Sequence, residues 1–414
     1  MTIDKNFKQK MLNWANQFNI FCFLDNNKYN FEEPAFECLL AVGCSSSYSF
    51  TGKNDTENLQ SFYNKNPTWL FGNFGYNAFS TAYTKQTEVD AFGQGFFFEP
   101  EIIIKVSGDK VEVIKTNIDE NLLIATIEKF QCKKNNTVQK INAQPLFTKE
   151  KYIAKIKKVQ EHIARGDCYE INFCQKFEAI NATISPIDTY QKLAALSPAP
   201  FGALYKVNND YCICSSPERF LEKQGTTLTS QPIKGTSRRV ADKVVDAANK
   251  LHLTQSEKEK SENVMIVDLV RNDLSMVCKK GSVHVKELFG VYSFPQVHQM
   301  ISTIQGEVDK DAAALHLIEA CYPMGSMTGA PKQKVMQLIE NYEEVDRGLF
   351  SGSIGYFTPD NNFDFNVVIR SIFYNDATKK LHFFAGSGIT FYSNAEKEYD
   401  ECLAKAEALL QVLQ

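Results

Sequence analysis

The sequence lacks an excess of one charge: 45 lysines and arginines stand against 49 aspartates and glutamates in 414 residues, a formal charge of −4. A nucleic-acid-binding domain usually has a clearly basic face, so this balance argues against one. No apolar run reaches the ~18 residues of a membrane span. The first 25 residues have scattered polar side chains rather than the apolar segment of a signal peptide. We therefore expect neither nucleic acid nor a membrane as a partner.

Cysteine is present but lacks the spacing of a metal-binding framework. The eleven cysteines are spread along the chain, and only Cys212 and Cys214 are close, as CxC rather than CxxC. This spacing argues against a zinc site. Free thiols in this number are typical of a reducing cytosol, so we expect a cytoplasmic protein.

Common cofactor and nucleophile motifs are also missing. Gly386-Ser-Gly388 lacks the third glycine of a dinucleotide-binding fingerprint. Residues 325–332 have the wrong spacing for a phosphate-binding loop, and Pro331 removes an N–H group that such a loop would use. No GxSxG or HExxH sequence occurs. The chemistry must therefore come from a less general pattern.

Strand-like runs separated by turns, with helices between them, dominate the sequence. Apolar spacing predicts helices over residues 6–18, 256–277 and 394–413. Strand-like runs include residues 168–177, 211–222, 226–233 and 363–373. The polar segment 131–144 is typical of a linker. This order of elements predicts an α+β fold.

Acidic residues occur three apart on two of the predicted helices, which places each pair on one helix face. The pairs are Glu259 with Glu262, and Glu398 with Glu401. If the two helices faced each other, these carboxylates could bind a hard cation such as Mg²⁺. The structural alternatives are a capping box from Ser256 to Glu259 and an ion pair between Glu401 and Lys405.

Glu218 and Lys234 form the most promising acid and amine pair. They lie on successive predicted strands, with Gly225 marking the turn between them. A three-residue turn would pair Glu218 with Pro232 and Ser216 with Lys234, which places the acid and the amine on one face. A two-residue turn would place them on opposite faces. On a common face they would suit general-acid and nucleophilic catalysis, whereas the bland alternative is a solvated surface pair.

These stretches and several others together resemble the chorismate-utilising enzymes, which include anthranilate, aminodeoxychorismate, isochorismate and salicylate synthases. The matching stretches, spread over residues 147–413, are 166–172 (GDCYEIN), 216–220 (SPERF), 232–236 (PIKGT), 262–273 (ENVMIVDLVRND), 325–332 (GSMTGAPK), 352–356 (GSIGY), 369–370 (IR), 385–389 (AGSGI) and 396–401 (EKEYDE). The resemblance implies a single large α+β domain of two stacked, mostly antiparallel sheets with helices outside, a four-layer αββα sandwich. Residues 1–145 would complete this body, and residues 146–414 would form the chorismate-binding catalytic region.

The resemblance also implies a reaction. The third residue of the PIKGT stretch is similar to the lysine of aminodeoxychorismate synthases, where anthranilate synthases have alanine; here it is Lys234. The resemblance therefore implies conversion of chorismate and ammonia to 4-amino-4-deoxychorismate through a covalent lysine intermediate, with Glu218 as the acid and Mg²⁺ as the cofactor. Because no glutaminase nucleophile pattern occurs, ammonia would come from a separate glutamine amidotransferase subunit.

Further site residues are implied by the same resemblance. Glu262 and Glu401 match the family's magnesium ligands, with Glu259 and Glu398 as nearby acids. The implied substrate contacts are Gly235, Thr236, Ser326, Thr328, Lys332, Tyr356, Arg370, Gly386 and Gly388.

The implied chemistry sets two requirements. Lys234 must be neutral when it attacks, so burial or a nearby cation such as Arg238 or Arg239 must lower its pKa. Glu218 must stay protonated, which favours an enclosed and dry site.

The chain departs from the family pattern at several positions. Gln299 stands where the family has a histidine, and His298, one step earlier on a strand, faces the other way. Met324 replaces a glycine. Residues 39–44 (LLAVGC) differ from the segment of tryptophan-regulated relatives, which predicts no tryptophan feedback. Two alternatives stay open: an anthranilate or isochorismate synthase, and a non-catalytic paralogue that only binds a partner.

Overall fold

The computed structural model describes residues 6–29, 36–65, 67–80, 90–132 and 140–414. Within these ranges two large antiparallel sheets, one of eleven and one of ten strands, are stacked with helices outside. The predicted α+β fold is confirmed. Part of the predicted linker, residues 133–139, lies outside the described residues.

The strands are numbered in chain order. They are β1 (Ile20–Asp25), β2 (Cys38–Val42), β3 (Ser46–Phe50), β4 (Leu70–Phe74), β5 (Gly95–Glu99), β6 (Ile102–Ser107), β7 (Lys110–Lys115), β8 (Gln144–Pro145), β9 (Glu170–Ala179), β10 (Phe201–Val207), β11 (Asp210–Ser216), β12 (Arg219–Gln224), β13 (Thr227–Gln231), β14 (Ile233–Arg238), β15 (His284–Ser293), β16 (Val297–Glu307), β17 (Gly329–Ala330), β18 (Ser353–Phe357), β19 (Phe363–Asn366), β20 (Ser371–Asn375) and β21 (Lys380–Ile389).

The helices are numbered in the same way. They are α1 (Phe7–Ala15), α2 (Thr56–Lys65), α3 (Glu120–Glu128), α4 (Lys149–Ala164), α5 (Pro186–Leu196), α6 (Lys243–Gln255), α7 (Glu257–Ser275), α8 (Ala314–Cys321), α9 (Lys332–Glu343) and α10 (Ala395–Val412), with short 3₁₀ turns at Lys53–Asp55 and Gly325–Met327. No helix of the described ranges is both long and apolar enough to cross a bilayer.

The first sheet has the order β17-β9-β21-β20-β11-β10-β1-β2-β6-β7, with β8 beside β9; the second has the order β14-β16-β13-β12-β19-β18-β4-β5-β3, with β15 beside β16. Strand β1 shows how the layers stack. Phe21 and Phe23 belong to a core shared with helices, whereas Cys22 between them belongs to a core shared with Phe71 and Phe74 of the second sheet. Because alternate side chains point to opposite faces of a strand, the first sheet is covered on both sides.

Two chain segments cross side by side from one sheet to the other. Residues 211–222, predicted as one strand, are split between β11 in the first sheet and β12 in the second; residues 363–373 are split between β19 and β20 in the same way. The backbone N–H of Val367 donates to the carbonyl of Glu218 (3.0 Å), and that of Ser215 donates to the carbonyl of Arg370 (3.2 Å). Glu218 and Arg370 therefore lie on these crossovers, not within strands, which corrects the prediction for Glu218.

The hairpin that follows Glu218 combines features of both predicted alternatives. Its turn at Gly225 has two residues, which by itself would place Glu218 and Lys234 on opposite faces. A β-bulge between Arg219 and Glu222 then shifts the register by one residue. The shift restores the register predicted for the three-residue turn, in which the acid and the amine are on one side.

Candidate active site

Lys234 reaches from the second sheet to the first. Its strand β14 continues the second sheet beyond Pro232, and its Nζ donates a hydrogen bond to Oε1 of Glu170, the first residue of β9. The Lys234 side chain is 12% exposed and that of Glu170 is 1% exposed. The two sheets thus meet at a nearly dry ion pair.

Gly388 of β21 borders this ion pair directly. A Cβ added to Gly388 would lie 2.6 Å from Glu170 Oε1 and 3.1 Å from Lys234 Nζ, so a larger residue would displace one of them. A Cβ added to Gly386 would instead lie 2.0 Å from the carbonyl oxygen of Phe173 on β9. Gly388 therefore borders the site, whereas Gly386 allows two strands to approach.

Glu218 is the second buried acid of the site. It is 4% exposed, and its Oε1 accepts a hydrogen bond of 2.6 Å from the hydroxyl of Ser326. Burial raises the pKa of Glu218 to about 7, against the opposite effects of Ser326 and Lys234. A carboxyl group that keeps its proton near neutral pH can serve as a general acid.

The protonation of Lys234 differs from the expectation. Burial lowers its pKa, but Glu170, Glu262 and Glu218 raise it, and the net direction is upward. The two arginines that were expected to lower the pKa do not offset this effect. Arg239 binds Asp246 at 3.1 Å, and Arg238 is exposed. Lys234 is therefore held as an ammonium ion in this state.

Two of the four predicted metal ligands border the same lysines. Burial acts to raise the pKa of both Glu262 and Glu401, and the charges of Lys234 and Lys258 act to lower it. Burial raises the pKa of Glu262 to about 7 despite these lysines. Glu401 is half-exposed and pairs with Lys405 at 2.8 Å, and with this help its net pKa shift is downward. These two carboxylates are hard oxygen donors of the kind that Mg²⁺ accepts.

The other two acids do not join them in a metal cage. Glu398 Oε2 accepts a hydrogen bond of 2.5 Å from Ser387, and the carboxylate of Glu259 lies against Gly235. The described part of the chain has no cluster of three or more acidic, histidine or cysteine side chains suited to a metal ion. The ion pair between Glu401 and Lys405 is present. Of the capping box, one half is present: the Ser256 hydroxyl accepts the N–H of Glu259 and caps α7, whereas the N–H of Ser256 donates to the carbonyl of Leu253.

Comparison with known proteins agrees with this geometry. A family model described as chorismate binding enzyme matches residues 22–411. This chain belongs to that family. Among curated relatives, aminodeoxychorismate synthase component 1 of Escherichia coli is 36% identical over 271 residues, 66% of this chain and 59% of the relative. The chloroplastic aminodeoxychorismate synthase of Arabidopsis thaliana is 38% identical over 277 residues, 66% of this chain and 30% of the relative. The matched region is thus less than two thirds of either relative.

Solved structures share the fold of this chorismate-binding enzyme. The menaquinone-specific isochorismate synthase of E. coli superposes with a TM-score of 0.80 at 17% identity, covering 97% of this chain and 91% of that one. Anthranilate synthase component I of Streptococcus pneumoniae superposes with a TM-score of 0.78 at 24% identity, covering 92% and 94%. These similarities show the two-sheet architecture.

Some predicted substrate contacts of the chorismate-binding enzyme have other partners. Thr328 is fully buried and donates to the carbonyl of Met324 at 2.8 Å. Lys332 binds Asp273 at 2.6 Å and the carbonyl of Cys321 at 2.9 Å. These two side chains stabilise the loop that carries Ser326. Both side chains therefore already have partners within the protein.

Tyr356 lies in an aromatic cluster rather than beside Lys234. Its ring centroid is 5.4 Å from that of Trp69 and 5.6 Å from that of Phe71. It lines a small cavity bordered by Asp364 and Phe36, and neither Lys234 nor Glu218 lines that cavity. The prediction that it contacts the substrate beside the lysine finds no support in these contacts.

Arg370, Gly235 and Thr236 all keep some exposure to solvent. Burial lowers the pKa of Arg370, and the charges of Tyr29 and Glu218 act to raise it. Gly235 has a left-handed φ of +90°, and Thr236 is exposed. A guanidinium in this position can bind a carboxylate with two parallel hydrogen bonds.

His298 and Gln299, the two candidates for the position of the family histidine, have different surroundings. His298 contacts Ser293 at 2.9 Å and Asp246 at 3.2 Å. Gln299, opposite Thr236 on the neighbouring strand, is buried, and its Oε1 has no hydrogen-bond partner among the described residues. His298 and Gln299, as neighbours on β16, therefore point to opposite faces of the strand.

Glu170 is the site residue that sequence reasoning did not single out. It stood within the matched stretch 166–172, as an acid followed by the apolar and amide side chains of residues 171–175. A buried acid needs a partner, so its position at the start of a strand was the available signal.

Proposed function

We propose that this chain is the chorismate-aminating component of an aminodeoxychorismate synthase, which converts chorismate and ammonia to 4-amino-4-deoxychorismate. The observation that carries the proposal is a buried carboxyl group, Glu218, and a nearly buried lysine, Lys234, which the register of β12 and β13 places on one side. The names of the curated relatives support the same reaction. Its product leads toward p-aminobenzoate and folate.

The proposed mechanism has two allylic displacements. The Nζ lone pair of Lys234 forms a bond to C2 of chorismate, both double bonds of the conjugated ring diene shift by one position, and the bond from C4 to its hydroxyl oxygen breaks. Glu218 gives its proton to that oxygen, which leaves as water. Ammonia then forms a bond to C4, both double bonds shift back, and the bond from C2 to Nζ breaks. Covalent catalysis of this kind divides one difficult substitution into two easier ones.

Substrate binding would use the groups around this pair. Arg370 would hold a carboxylate of chorismate in a forked hydrogen bond. Gly388 lets strand β21 lie directly against Lys234 and Glu170, because even a Cβ at this position would meet both side chains. Ser326 would hold Glu218 in place rather than contact the substrate first, because its hydroxyl already donates to that carboxyl group.

Magnesium is the proposed cofactor. Glu262 and Glu401 would hold it, because both carboxylates border Lys234 and Lys258, and Mg²⁺ commonly uses one or two protein carboxylates together with substrate oxygens. When bound, Mg²⁺ would neutralise a substrate carboxylate. Glu259 and Glu398 would act, if at all, through water.

Ammonia would come from a separate glutamine amidotransferase subunit. The E. coli relative is named component 1, which is consistent with a second component. A cytoplasmic location fits the eleven cysteines, all of which lie in the described ranges and are free.

Product analysis tests this function. The chain with chorismate, ammonium and Mg²⁺ is expected to yield 4-amino-4-deoxychorismate, and Lys234→Ala is expected to yield none. Anthranilate with pyruvate, or isochorismate, would contradict the proposal in favour of another family reaction. Equal failure of both proteins to consume chorismate would favour a non-catalytic paralogue.

A further inference from the structure

Glu170 has no role in the mechanism above, yet it contacts the reacting nitrogen. Its Oε1 accepts a hydrogen bond from Lys234 Nζ, and its side chain is 1% exposed. Its other oxygen, Oε2, is buried and has no hydrogen-bond partner among the described residues. A buried carboxylate oxygen without a partner is costly, and a catalytic role is one of the explanations for such an atom.

The chemistry leaves one proton without a destination. Lys234 can form a bond to carbon only as a free amine, because an ammonium ion has no lone pair. The site is nearly dry, so bulk water is a poor acceptor for the Nζ proton. A base within hydrogen-bond distance of Nζ is needed.

The other charged groups that face Lys234 are less suitable. They are Glu218, which precedes β12, Glu262 of α7 and Glu401 of α10. Glu218 must donate a proton in the same step, so it cannot also accept one. Glu262 and Glu401 are proposed magnesium ligands and have no hydrogen bond to Nζ among the described contacts. Gly388 of β21, which also borders the pair, carries no charge.

We propose that Glu170 is a third catalytic residue, whose carboxylate takes the proton from Lys234 Nζ before the attack and returns it when the lysine is released. The inference rests on the proposed function, since it assumes that Lys234 is the nucleophile. The step converts an ammonium–carboxylate pair into an amine and a carboxylic acid. No electron is transferred, and the pair keeps the same net charge.

The exchange is favoured by the geometry. Proton transfer along an existing short hydrogen bond needs no movement of heavy atoms. Gly388 leaves no Cβ to separate the two groups. Once protonated, Glu170 can donate a hydrogen bond of its own, so the unpartnered Oε2 would gain a use when the substrate is bound.

Glu170→Gln is the decisive variant because an amide oxygen can still accept the hydrogen bond from Lys234 but cannot take its proton. The measurement is the rate at which chorismate, without ammonia, forms an adduct on Lys234, followed by mass spectrometry in rapidly quenched samples between pH 6 and 9. We expect the adduct to form at least ~100-fold more slowly at pH 7 in Glu170→Gln, the usual size of a general-base effect. The deficit should shrink as pH rises and solvent removes the proton.

Three further proteins complete the experiment. Glu170→Asp retains a carboxylate and is expected to react faster than Glu170→Gln. Glu178→Gln, at a more exposed position of the same strand, removes a carboxylate that pairs with Lys176 and is expected to match the wild type. Lys234→Ala marks the background. Thermal unfolding of each variant shows whether it is folded. If Glu170→Gln is unfolded, Glu170→Asp takes its place: it must form the adduct more slowly than the wild type, and this deficit must shrink as pH rises.

The outcomes separate this inference from the proposed function. An unchanged or faster adduct rate in Glu170→Gln, with a wild type that makes 4-amino-4-deoxychorismate, would overturn the role of Glu170 alone. A faster rate would mean that Glu170 only holds the ammonium ion. A wild type that forms no adduct would overturn both.

Discussion

Ser326 donates a hydrogen bond of 2.6 Å to the buried carboxyl group of Glu218. The serine belongs to a short 3₁₀ turn packed against α7, whereas the glutamate lies on the crossover between the sheets. The contact therefore holds the carboxyl group of the proposed acid from a separate element of the fold.

Replacing Ser326 by alanine should reduce activity and change its pH dependence. The hydroxyl lowers the pKa of Glu218, so its loss should raise that pKa further above 7. We expect kcat/KM to fall roughly 10-fold through the loss of orientation, and activity to persist to higher pH. Ser230→Ala is a matched control, because it removes a buried hydroxyl that is bound to the carbonyl of Phe220. A steady-state pH profile with no shift would contradict the account.

Glu218→Gln should stabilise the protein at alkaline pH while it abolishes activity. The pKa of Glu218 is raised to about 7 in the folded state, from 4.5. The folded protein therefore keeps a proton that the unfolded chain has lost, and its stability falls as pH rises between these values. The amide introduced by Glu218→Gln does not titrate, so the variant lacks this decrease in stability. The difference in free energy of unfolding between Glu218→Gln and the wild type should therefore grow in favour of the variant by about 3 kcal/mol from pH 4.5 to pH 8. Urea unfolding at several pH values measures this difference. A difference that does not change with pH would contradict a raised pKa for Glu218.

Gly388→Ala should impair catalysis with little effect on folding. Its Cβ would meet the ends of two side chains, Glu170 and Lys234, which can move at a cost to their alignment. Gly386→Ala should instead be strongly destabilising, because its Cβ would meet the main chain of β9. Thermal unfolding should show a much lower melting temperature for Gly386→Ala than for Gly388→Ala. Turnover per folded molecule should be lower for Gly388→Ala. Equal destabilisation by both would show that Gly388 serves packing.

Glu343→Gln should cause a large loss of stability. Arg347 and Glu343 are fully buried and form a bidentate pair, with nitrogen–oxygen distances of 2.9 and 2.6 Å. Removing the charge of Glu343 leaves a buried cation unpaired, which costs about 3–5 kcal/mol. Asp376→Asn in the exposed pair with Lys379 should cost below about 1 kcal/mol. Urea unfolding of both variants measures the loss in free energy of unfolding. A similar loss for each would contradict the expectation that breaking the buried ion pair costs more than breaking the exposed one.

Much of the fold could be predicted from local sequence signals. The helices α7 and α10 have clear apolar spacing and begin at capping residues, Ser256 and Asn394, whose side chains accept backbone N–H groups. Helix α6 was missed because its valines are mostly exposed and Leu253 alone among its side chains is fully buried. A helix with so narrow an apolar face has a weak periodic signal.

The crossovers between sheets could not be predicted, because no local signal marks them. Apolar side chains lie on either side of Pro217, at residues 211–214 and 220–221, and residues 211–221 are all buried, as in a single buried strand. The strand changes sheet only because a partner strand crosses beside it, which is a long-range effect. The bulge near Arg219 was equally hidden, yet it decides which face Glu218 presents.

The candidate site was predicted in part. Lys234, Glu218, Glu262 and Gly388 are brought together, whereas Lys332 and Thr328 have other partners. The partner of a buried charge depends on the full tertiary arrangement. For that reason Glu170 became visible only from its contact with Lys234.

The most direct test is mass spectrometry of the intact protein with chorismate and Mg²⁺ in the absence of ammonia. We predict a covalent adduct of chorismate minus water, mapped by peptide fragmentation to Lys234 and absent from Lys234→Ala. An unmodified Lys234 in protein that still consumes chorismate would contradict the account.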